Sequence, residues 1–339
     1  MYFVGLGASS IWDANEAFYV ETPREMLAAH DLINPAFNYL PRFNKPVLSY
    51  WMVAGLYKLF GISVAVERLG IAIGAVLIIA CAYVLGSLAG GVASGGSERQ
   101  PTWHRSSALW SAIGIAASAR LLMFARRIFI DVWLSAFLAL ALASFALSEH
   151  DPLRRRRYLV LMYVAIGLGT LTKGPVAVVL PALAAGLYLF ATRQVRRVTS
   201  LMLPLGVFIV AAIVVPWYAA LYHQHGWTYI KSFLIGENVE RYTSGAGVGQ
   251  IRGLFFYLPV VLSDSFPMSM LLFASAAAVW RRFRTPRSVE TLLWCWIIVT
   301  VGFFSFSAGK QDLYIFPIVP AVAALGGAAT ARGLEDPVW

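Results

Sequence analysis

From Val64 to Leu88 the chain carries only two charges, Glu67 and Arg68, both near its start, and is otherwise almost entirely apolar. Coiled as a helix, such a run exceeds the ~20 residues that cross the ~30 Å core of a bilayer. In lipid, backbone polar groups must be satisfied internally, which leaves helices or a closed barrel. A barrel shows short segments of alternating polarity; this chain shows long Leu/Ala/Val/Ile runs. The predicted class is therefore all-α, a polytopic bundle of transmembrane helices. Hydrophobic residues make up 59% of the 339 and charged residues 13%, against about a quarter charged in a soluble domain.

Spans are predicted near Val64–Leu88, Ser106–Phe124, Ile128–Leu147, Tyr158–Leu171, Val176–Phe190, Ser200–Tyr222, Leu254–Trp280, Leu292–Phe306 and Leu313–Ala331. The fourth and fifth are short and read as tilted spans or a helical hairpin. "VLSYWMVAGLYKLFG" (Val47–Gly61) mixes Ser, Tyr, Trp and Lys into an apolar stretch; those are interfacial residues, which predicts a juxtamembrane helix. The chain reads as one transmembrane domain over 1–339. Its parts are a first outer loop at 9–62, a helical core at 64–222, a second outer loop at 223–253 and C-terminal helices at 254–331. The opening "MYFVGLGASS" is too short to span and lacks a basic leader, so the chain is expected to begin inside a first helix. Cys81 and Cys295 both lie in apolar runs and are expected to pack rather than to form a disulfide or hold a metal.

Charge orients these helices. The loops around Arg99 and Arg105, Arg154–Arg157, Arg193–Arg197 and Arg281–Arg287 hold 13 of the 27 Lys and Arg residues and fall at alternate helix ends. Positive loops stay cytoplasmic. The formal net charge of +10 is thus explained by loop retention and anionic lipid, and no nucleic-acid partner is expected. The remaining polar stretches then share the opposite face: "IWDANEAFYVETPREM" (Ile11–Met26), "ARRIFID" (Ala125–Asp131), "TKGP" (Thr172–Pro175), His223–Gly253 and "SAGKQDLY" (Ser307–Tyr314).

On that face stand Lys45, Arg126, Arg127, Lys173, Arg241 and Lys310, with Asp13, Glu16, Glu21, Asp131, Glu237 and Glu240. Cations outside the cytoplasm run against the insertion bias, and a lipid phosphate at headgroup depth would compensate them. Each stretch taken alone also fits an ordinary loop or helix end. His223, His225 and Glu237 match no metal-ligand spacing, and "GAGVGQ" (Gly245–Gln250) lacks the strand and Gly-Lys-Ser/Thr of a phosphate loop; it reads as a flexible segment over the site.

The stretches "NEAFYVETPREM", "PRFNKPVLSYW", "FGISVAVERL", "ARRIFIDVWL", "LTKGPVAVVLP", "PWY", "ENVERY" and "FFSFSAGKQDLYIFPIVPA" follow one another from Asn15 to Ala321. In this order they resemble glycosyltransferase family 39, the dolichyl-phosphate-mannose-protein mannosyltransferase superfamily, and especially its bacterial undecaprenyl-phosphate aminoarabinose transferase-like members. The resemblance implies a GT-C fold with juxtamembrane helices in the first outer loop. It implies a place in the bacterial inner membrane with the site facing the periplasm, and a polyprenyl-phosphate sugar as donor. The family's outer-loop acid points to Asp13 or Glu16, since the usual Asp-Glu pair is Asn15-Glu16 here. Asp131 matches the second acidic position. Lys45 matches the lysine that contacts lipid phosphate, with Arg126, Arg127, Lys173 and Lys310 as further phosphate ligands. Asn15, Arg42, Tyr50, Glu237, Arg241 and Tyr314 are expected to touch substrate. The family residue before the lysine is often acidic and can bind metal; here it is Asn44, so no cofactor is required, although a divalent metal is compatible. Family members commonly carry a helix before the first loop and a periplasmic domain after the last helix, and neither is expected in this chain.

The chemistry expected is displacement of the polyprenyl phosphate at the anomeric carbon, with inversion, onto lipid A, a protein or a glycan. The rival expectations are a partner-dependent or non-catalytic fragment of such an enzyme, and a transporter of polyprenyl-linked sugars. A transporter predicts polar residues deep in the spans, and none is seen.

Overall fold

The computed structural model describes residues 1–11, 14–90, 104–127, 129–245, 252–282 and 288–335. Helices α1 (Ala14–Ala28) and α2 (Leu48–Phe60) lie in the first loop, joined by a two-stranded hairpin, Ala36–Phe37 against Leu40–Pro41. Asn38 and Tyr39 both have positive φ, the twist that a two-residue hairpin turn needs. The bundle follows: α3 (Val64–Gly90), α4 (Arg105–Ala116), α5 (Ala119–Phe124), α6 (Phe129–His150), α7 (Arg155–Lys173), α8 (Val176–Ala191) and α9 (Leu203–His225). Then come α10 (Trp227–Lys231), α11 (Arg241–Thr243), α12 (Tyr257–Asp264), α13 (Leu272–Arg282), α14 (Val289–Ser305) and α15 (Val319–Glu335). Between α10 and α11 the chain winds as a π-helix, Ser232–Glu240.

The nine predicted spans all correspond to helical stretches, but not to nine uninterrupted crossings. Among the described residues, four helical segments are long and apolar enough to cross: Val64–Gly90, Ile130–His150, Leu203–His225 and Asp312–Leu334. A fifth exists if Leu254–Asp264 and Met268–Ala277, bent by 112° at their break, form one span. Ser106–Phe124 breaks because Ser118 leaves the helix and caps α5, its hydroxyl accepting from the Leu121 amide. Val176–Ala191 and Val289–Ser305 are apolar but shorter. The juxtamembrane helix expected at Val47–Gly61 is α2, which buries Tyr50, Val53, Ala54 and Tyr57.

Close helix approach is set by small residues. The Ser107 hydroxyl of α4 donates to the Gly86 carbonyl of α3 at 2.7 Å. A Cβ on Gly327 of α15 would lie 2.2 Å from Ser111 Oγ. Small side chains at such crossings let backbones touch where lipid offers no hydrophobic drive. The apolar interior divides into two clusters. One holds Phe145, Tyr188 and Trp296, the other Tyr50, Ile71 and Phe316. Cys81 and Cys295 are both buried and unpaired.

Helix direction separates the two ends of the bundle. α6 runs from Asp131 to Glu149 and α7 returns from Arg155 to Lys173. At the far end Glu149 is clasped by Arg155 (2.8 Å) and Arg197, and Glu290 by Arg332. At the near end lie Asp131, Lys173, the hairpin loop and the π-helix.

Candidate active site

Each charged residue of the near end has a local reason for its place. Lys45 sits in the loop before Pro46 and α2. Asp131 lies in the first turn of α6 and Lys173 in the last turn of α7, where helix dipoles favour an anion and a cation respectively. The α7–α8 turn brings them together: Gly174 ends α7 with φ +99°, and a Cβ there would stand 2.7 Å from the Phe233 ring. Only glycine lets the turn fold against the π-helix. π-turns are rare and concentrate at functional sites; this one carries Glu237.

Lys45 Nζ donates to Glu237 Oε2 at 2.9 Å, and Arg241 donates to the same oxygen at 3.1 Å. Asn44 Nδ2 donates to Glu237 Oε1 at 3.2 Å. Lys173 Nζ pairs with Asp131 Oδ1 and stands 5.5 Å from the centre of the Tyr314 ring. Burial pushes the Lys45 amine below its ordinary value despite Glu237, with Lys173 and Arg241 adding repulsion. Burial alone would raise Glu237, but Lys45 and Arg241 outweigh it and hold the carboxyl below its usual range.

Two adjoining cavities meet at these residues. One, of about 370 Å³, is walled by Leu134, Val176, Val179, Leu180, Phe303 and Phe304. The other, of about 320 Å³, is lined by Tyr19, Arg42, Asn44, Asp131 and Gln311. Lys45, Lys173, Glu237, Arg241 and Tyr314 line both. An apolar chamber thus opens into a polar one across a threshold of three cations and one carboxylate. Arg42 lies 3.3 Å over the Phe18 ring centre. Among the described residues, Arg42 Nε and Tyr314 Oη are buried without a hydrogen-bond partner. Tyr19 stacks on Tyr50, and burial, reinforced by Tyr50 and Asp131, drives its phenol well above the ordinary value.

Several expected site residues stand elsewhere. Glu16 is fully buried, and Arg68 Nε donates to it at 2.6 Å while Arg68 NH1 reaches the Leu6 and Ser9 carbonyls. Expected as a catalytic acid, it lines neither cavity and forms an ion pair that fastens α1 to α3. Arg126 is exposed and donates to the Val4 carbonyl at 2.9 Å. Arg127 also lines neither cavity. Lys310 is buried with its amine on the Ser307 carbonyl at 2.6 Å, stapling the loop beside the site. None of these three, expected as phosphate ligands, lines either cavity. Tyr50 supports Tyr19 from behind and is not part of either lining. Asp13 lies outside the described residues, as do the Asn15 side chain and 246–250 of the segment expected to cover the site. Among the described residues no group of three His, Cys, Asp or Glu side chains is placed to hold a metal. His225 instead shares a contact with Asn34 at 2.7 Å.

Sequence reasoning did not single out Tyr19, Phe18 or Gln311, which look like ordinary loop and helix residues until the fold gathers them. It also passed over Arg120. Its guanidinium bridges Asp264 and Asp312, each at 2.7 Å, and so ties α5 to α12 and to the turn that carries Tyr314. The available signal was a cation isolated in an apolar run, which calls for a partner.

With this geometry in hand, residues 99–219 match the dolichyl-phosphate-mannose-protein mannosyltransferase family. An undecaprenyl phosphate-alpha-4-amino-4-deoxy-L-arabinose arabinosyl transferase of Pseudomonas savastanoi pv. phaseolicola is 30% identical over 99% of this chain and 60% of its own length. Arabinosyl transferase 1 of Pseudomonas fluorescens is 26% identical over 99% of this chain and 56% of its own length. The chain therefore spans somewhat more than half of these relatives. Its fold superposes on ArnT from Cupriavidus metallidurans bound to undecaprenyl phosphate with a TM-score of 0.84 and 27% identity, covering 98% of this chain and 58% of that one. The archaeal oligosaccharyltransferase AglB from Archaeoglobus fulgidus shares the fold alone, at a TM-score of 0.57 and 17% identity over 99% of this chain and 50% of that one. The chain is thus an integral membrane protein of GT-C fold, similar along nearly its whole length to the aminoarabinose transferases and over residues 99–219 to the dolichyl-phosphate-mannose-protein mannosyltransferases.

Proposed function

We propose that the protein moves a sugar from an undecaprenyl-phosphate-type donor to an acceptor of the bacterial envelope, lipid A foremost, at the periplasmic face of the inner membrane. The observation that carries this reading is the threshold: Lys45, Lys173 and Arg241 stand where an apolar chamber meets a polar one. A prenyl tail suits the first chamber, a sugar the second and a phosphate the cations between. The relatives named for undecaprenyl phosphate and the ArnT complex support the same donor.

In this reading the acceptor oxygen attacks the anomeric carbon on the side away from the phosphate. The carbon–oxygen bond to phosphate breaks, its electron pair stays on the phosphate, and the anomeric centre inverts. The leaving phosphate gains one negative charge, and Lys45, Lys173 and Arg241 are fixed beforehand to receive it. Donors preorganised for charge that develops in the transition state are the strongest catalytic device of this kind. Glu237 pairs with Lys45 and Arg241 and yields them to the phosphate. Asp131 orients the sugar or acceptor through its tie to Lys173; a phosphate acceptor is already ionised and needs no base, whereas a hydroxyl would need one. Asp13 remains the outer-loop candidate for that task. The reading invokes no metal.

The test is to reconstitute the purified whole protein with radiolabelled undecaprenyl-phosphate sugar and lipid A. Label in lipid A upholds the proposal. Label crossing the vesicle membrane without transfer points to a transporter, and neither outcome points to a partner-dependent assembly subunit.

A further inference from the structure

A third cavity, of about 510 Å³, lies away from the candidate active site and shares no lining residue with it. Pro181, Ala185, Gly186 and Leu189 on α8 form one wall, α6, α7 and α9 the others, and Val198 and Leu201 bound it at the Arg-rich end. The two cavities on α8 use opposite faces: Val176, Val179 and Leu180 serve the active site, and positions spaced three and four apart from Val178 to Leu189 serve this slot. Its one polar lining group, the Tyr163 hydroxyl, already donates to the Leu201 carbonyl at 2.7 Å. The slot is hydrocarbon throughout. Its flank α9 faces lipid, with Val207 and Phe208 about 70% exposed. Its size is within the range of pockets that hold a defined ligand.

The charges at its Arg-rich end are unbalanced. The segment Val195–Leu201 that supplies Val198 and Leu201 also carries Arg196 and Arg197, with Arg193 just before it. Glu149 is taken by Arg155 and Arg197. Arg193 and Arg196, like Arg156 and Arg157, are exposed, and no side-chain hydrogen bond or ion pair engages them among the described residues. Arginines left without a side-chain partner among the described residues, on the segment that bounds one end of an apolar slot between transmembrane helices, are the pattern that recognises an acidic lipid headgroup.

We propose that this slot is a binding site for an anionic phospholipid of the leaflet at the Arg-rich end. One acyl chain lies between α7, α8 and α9, and the headgroup phosphate rests on Arg193 and Arg196. A prenyl-phosphate donor is disfavoured as occupant, because its phosphate belongs with Lys45 and Lys173 at the other end of the helices.

The test is native mass spectrometry of the whole protein, exchanged into detergent with phosphatidylglycerol or phosphatidylcholine of identical chains. The wild type retains phosphatidylglycerol over phosphatidylcholine. The double variant Arg193→Ala/Arg196→Ala loses roughly 30-fold in phosphatidylglycerol affinity, about tenfold or less for each arginine removed, and with it the preference. Gly186→Leu lowers retention of both lipids, since a Cβ at Gly186 meets nothing within 4 Å and the added side chain enters the slot. Unfolding midpoints and elution profiles verify that each variant folds. Equal retention of the two lipids by the wild type overturns the proposal, as does unaltered binding in both variants. Displacement of phosphatidylglycerol by undecaprenyl phosphate that is abolished by Gly186→Leu assigns the slot to the donor's tail and also overturns it.

Discussion

Lys45 and Glu237, 192 residues apart in sequence, form a 2.9 Å ion pair at the threshold of the two active-site chambers. The pair joins the first outer loop to the π-helix. The same glutamate oxygen also accepts from Arg241, so one carboxylate holds two cations.

Lys45→Ala removes the central cation of the threshold. Transfer is expected to fall by about two to three orders of magnitude, the usual cost of losing one preorganised charge-stabilising donor, with insertion and thermal stability unchanged. Initial rates with lipid-linked sugar measure this. Turnover within twofold of wild type, a threshold far above ~100-fold loss, would take Lys45 out of the reaction.

In the proposed function the protonated amine of Lys45 binds the donor phosphate. Burial lowers its pKa from the ordinary lysine value of 10.5, so phosphate affinity is lost as pH rises, at a pH below the ordinary lysine range. Glu237 opposes that shift. Glu237→Gln therefore moves the alkaline limb of undecaprenyl phosphate binding to lower pH, read from binding isotherms across a pH series. A limb that stays put or moves upward contradicts the assignment.

Gly174→Ala forces an L side chain into positive φ and against the Phe233 ring. Its backbone conformation, φ +99° with ψ −155°, is essentially confined to glycine and costs any other residue about 1–3 kcal/mol. A lowered unfolding midpoint is expected together with weaker undecaprenyl phosphate binding, because Lys173 and the π-helix shift with the turn. Wild-type behaviour in both measurements would show that the turn does not couple them.

Glu16 and Arg68 are expected to act on stability. Glu16→Gln leaves Arg68 buried without its counter-charge and costs about 3–5 kcal/mol, whereas replacing both partners together by Leu and Met regains much of the loss. Denaturation midpoints of the single and double variants distinguish this from catalysis: recovery of stability and transfer in the double variant fits a structural pair, and recovered stability with no transfer would return Glu16 to the reaction.

Gly327→Leu drives carbon into Ser111, whose Oγ lies 2.2 Å from the position of a Cβ. Overpacking of well-packed interiors typically costs about 1–3 kcal/mol, and the α4–α15 contact should open. Size-exclusion profiles and unfolding midpoints report it; a monodisperse variant of unchanged midpoint would mean that the helices slide apart freely.

Hydrophobic length and the spacing of Arg-rich loops were enough to predict an all-helical membrane protein, the positions of its helices and the common end of Lys45, Asp131, Lys173, Glu237 and Arg241. These are one-dimensional properties: a helix long enough to span places alternate loops at alternate ends whatever its neighbours do. Which helices break was less legible. The interruption at Ser118 depends on a capping bond, and the bend after Asp264 lies in a run whose hydropathy continues.

Roles within the common end were decided by tertiary packing. Glu16 and Asp131 are both carboxylates near helix starts, yet Arg68 buries the first in an ion pair and Lys173 holds the second at a cavity wall. Lys310 and Lys173 are both lysines at turns between helices, yet one staples a carbonyl and the other faces a chamber. Tyr19 entered the site only because α1 folds beside Asp131. The sequence by itself determined the class of fold, the two ends of the bundle and the residues gathered at each, because hydropathy and charge act along the chain. Only the tertiary structure decided which of those residues meet a cavity and which spend their charge on a partner, because an ion pair depends on distances of a few ångströms between segments far apart in the chain.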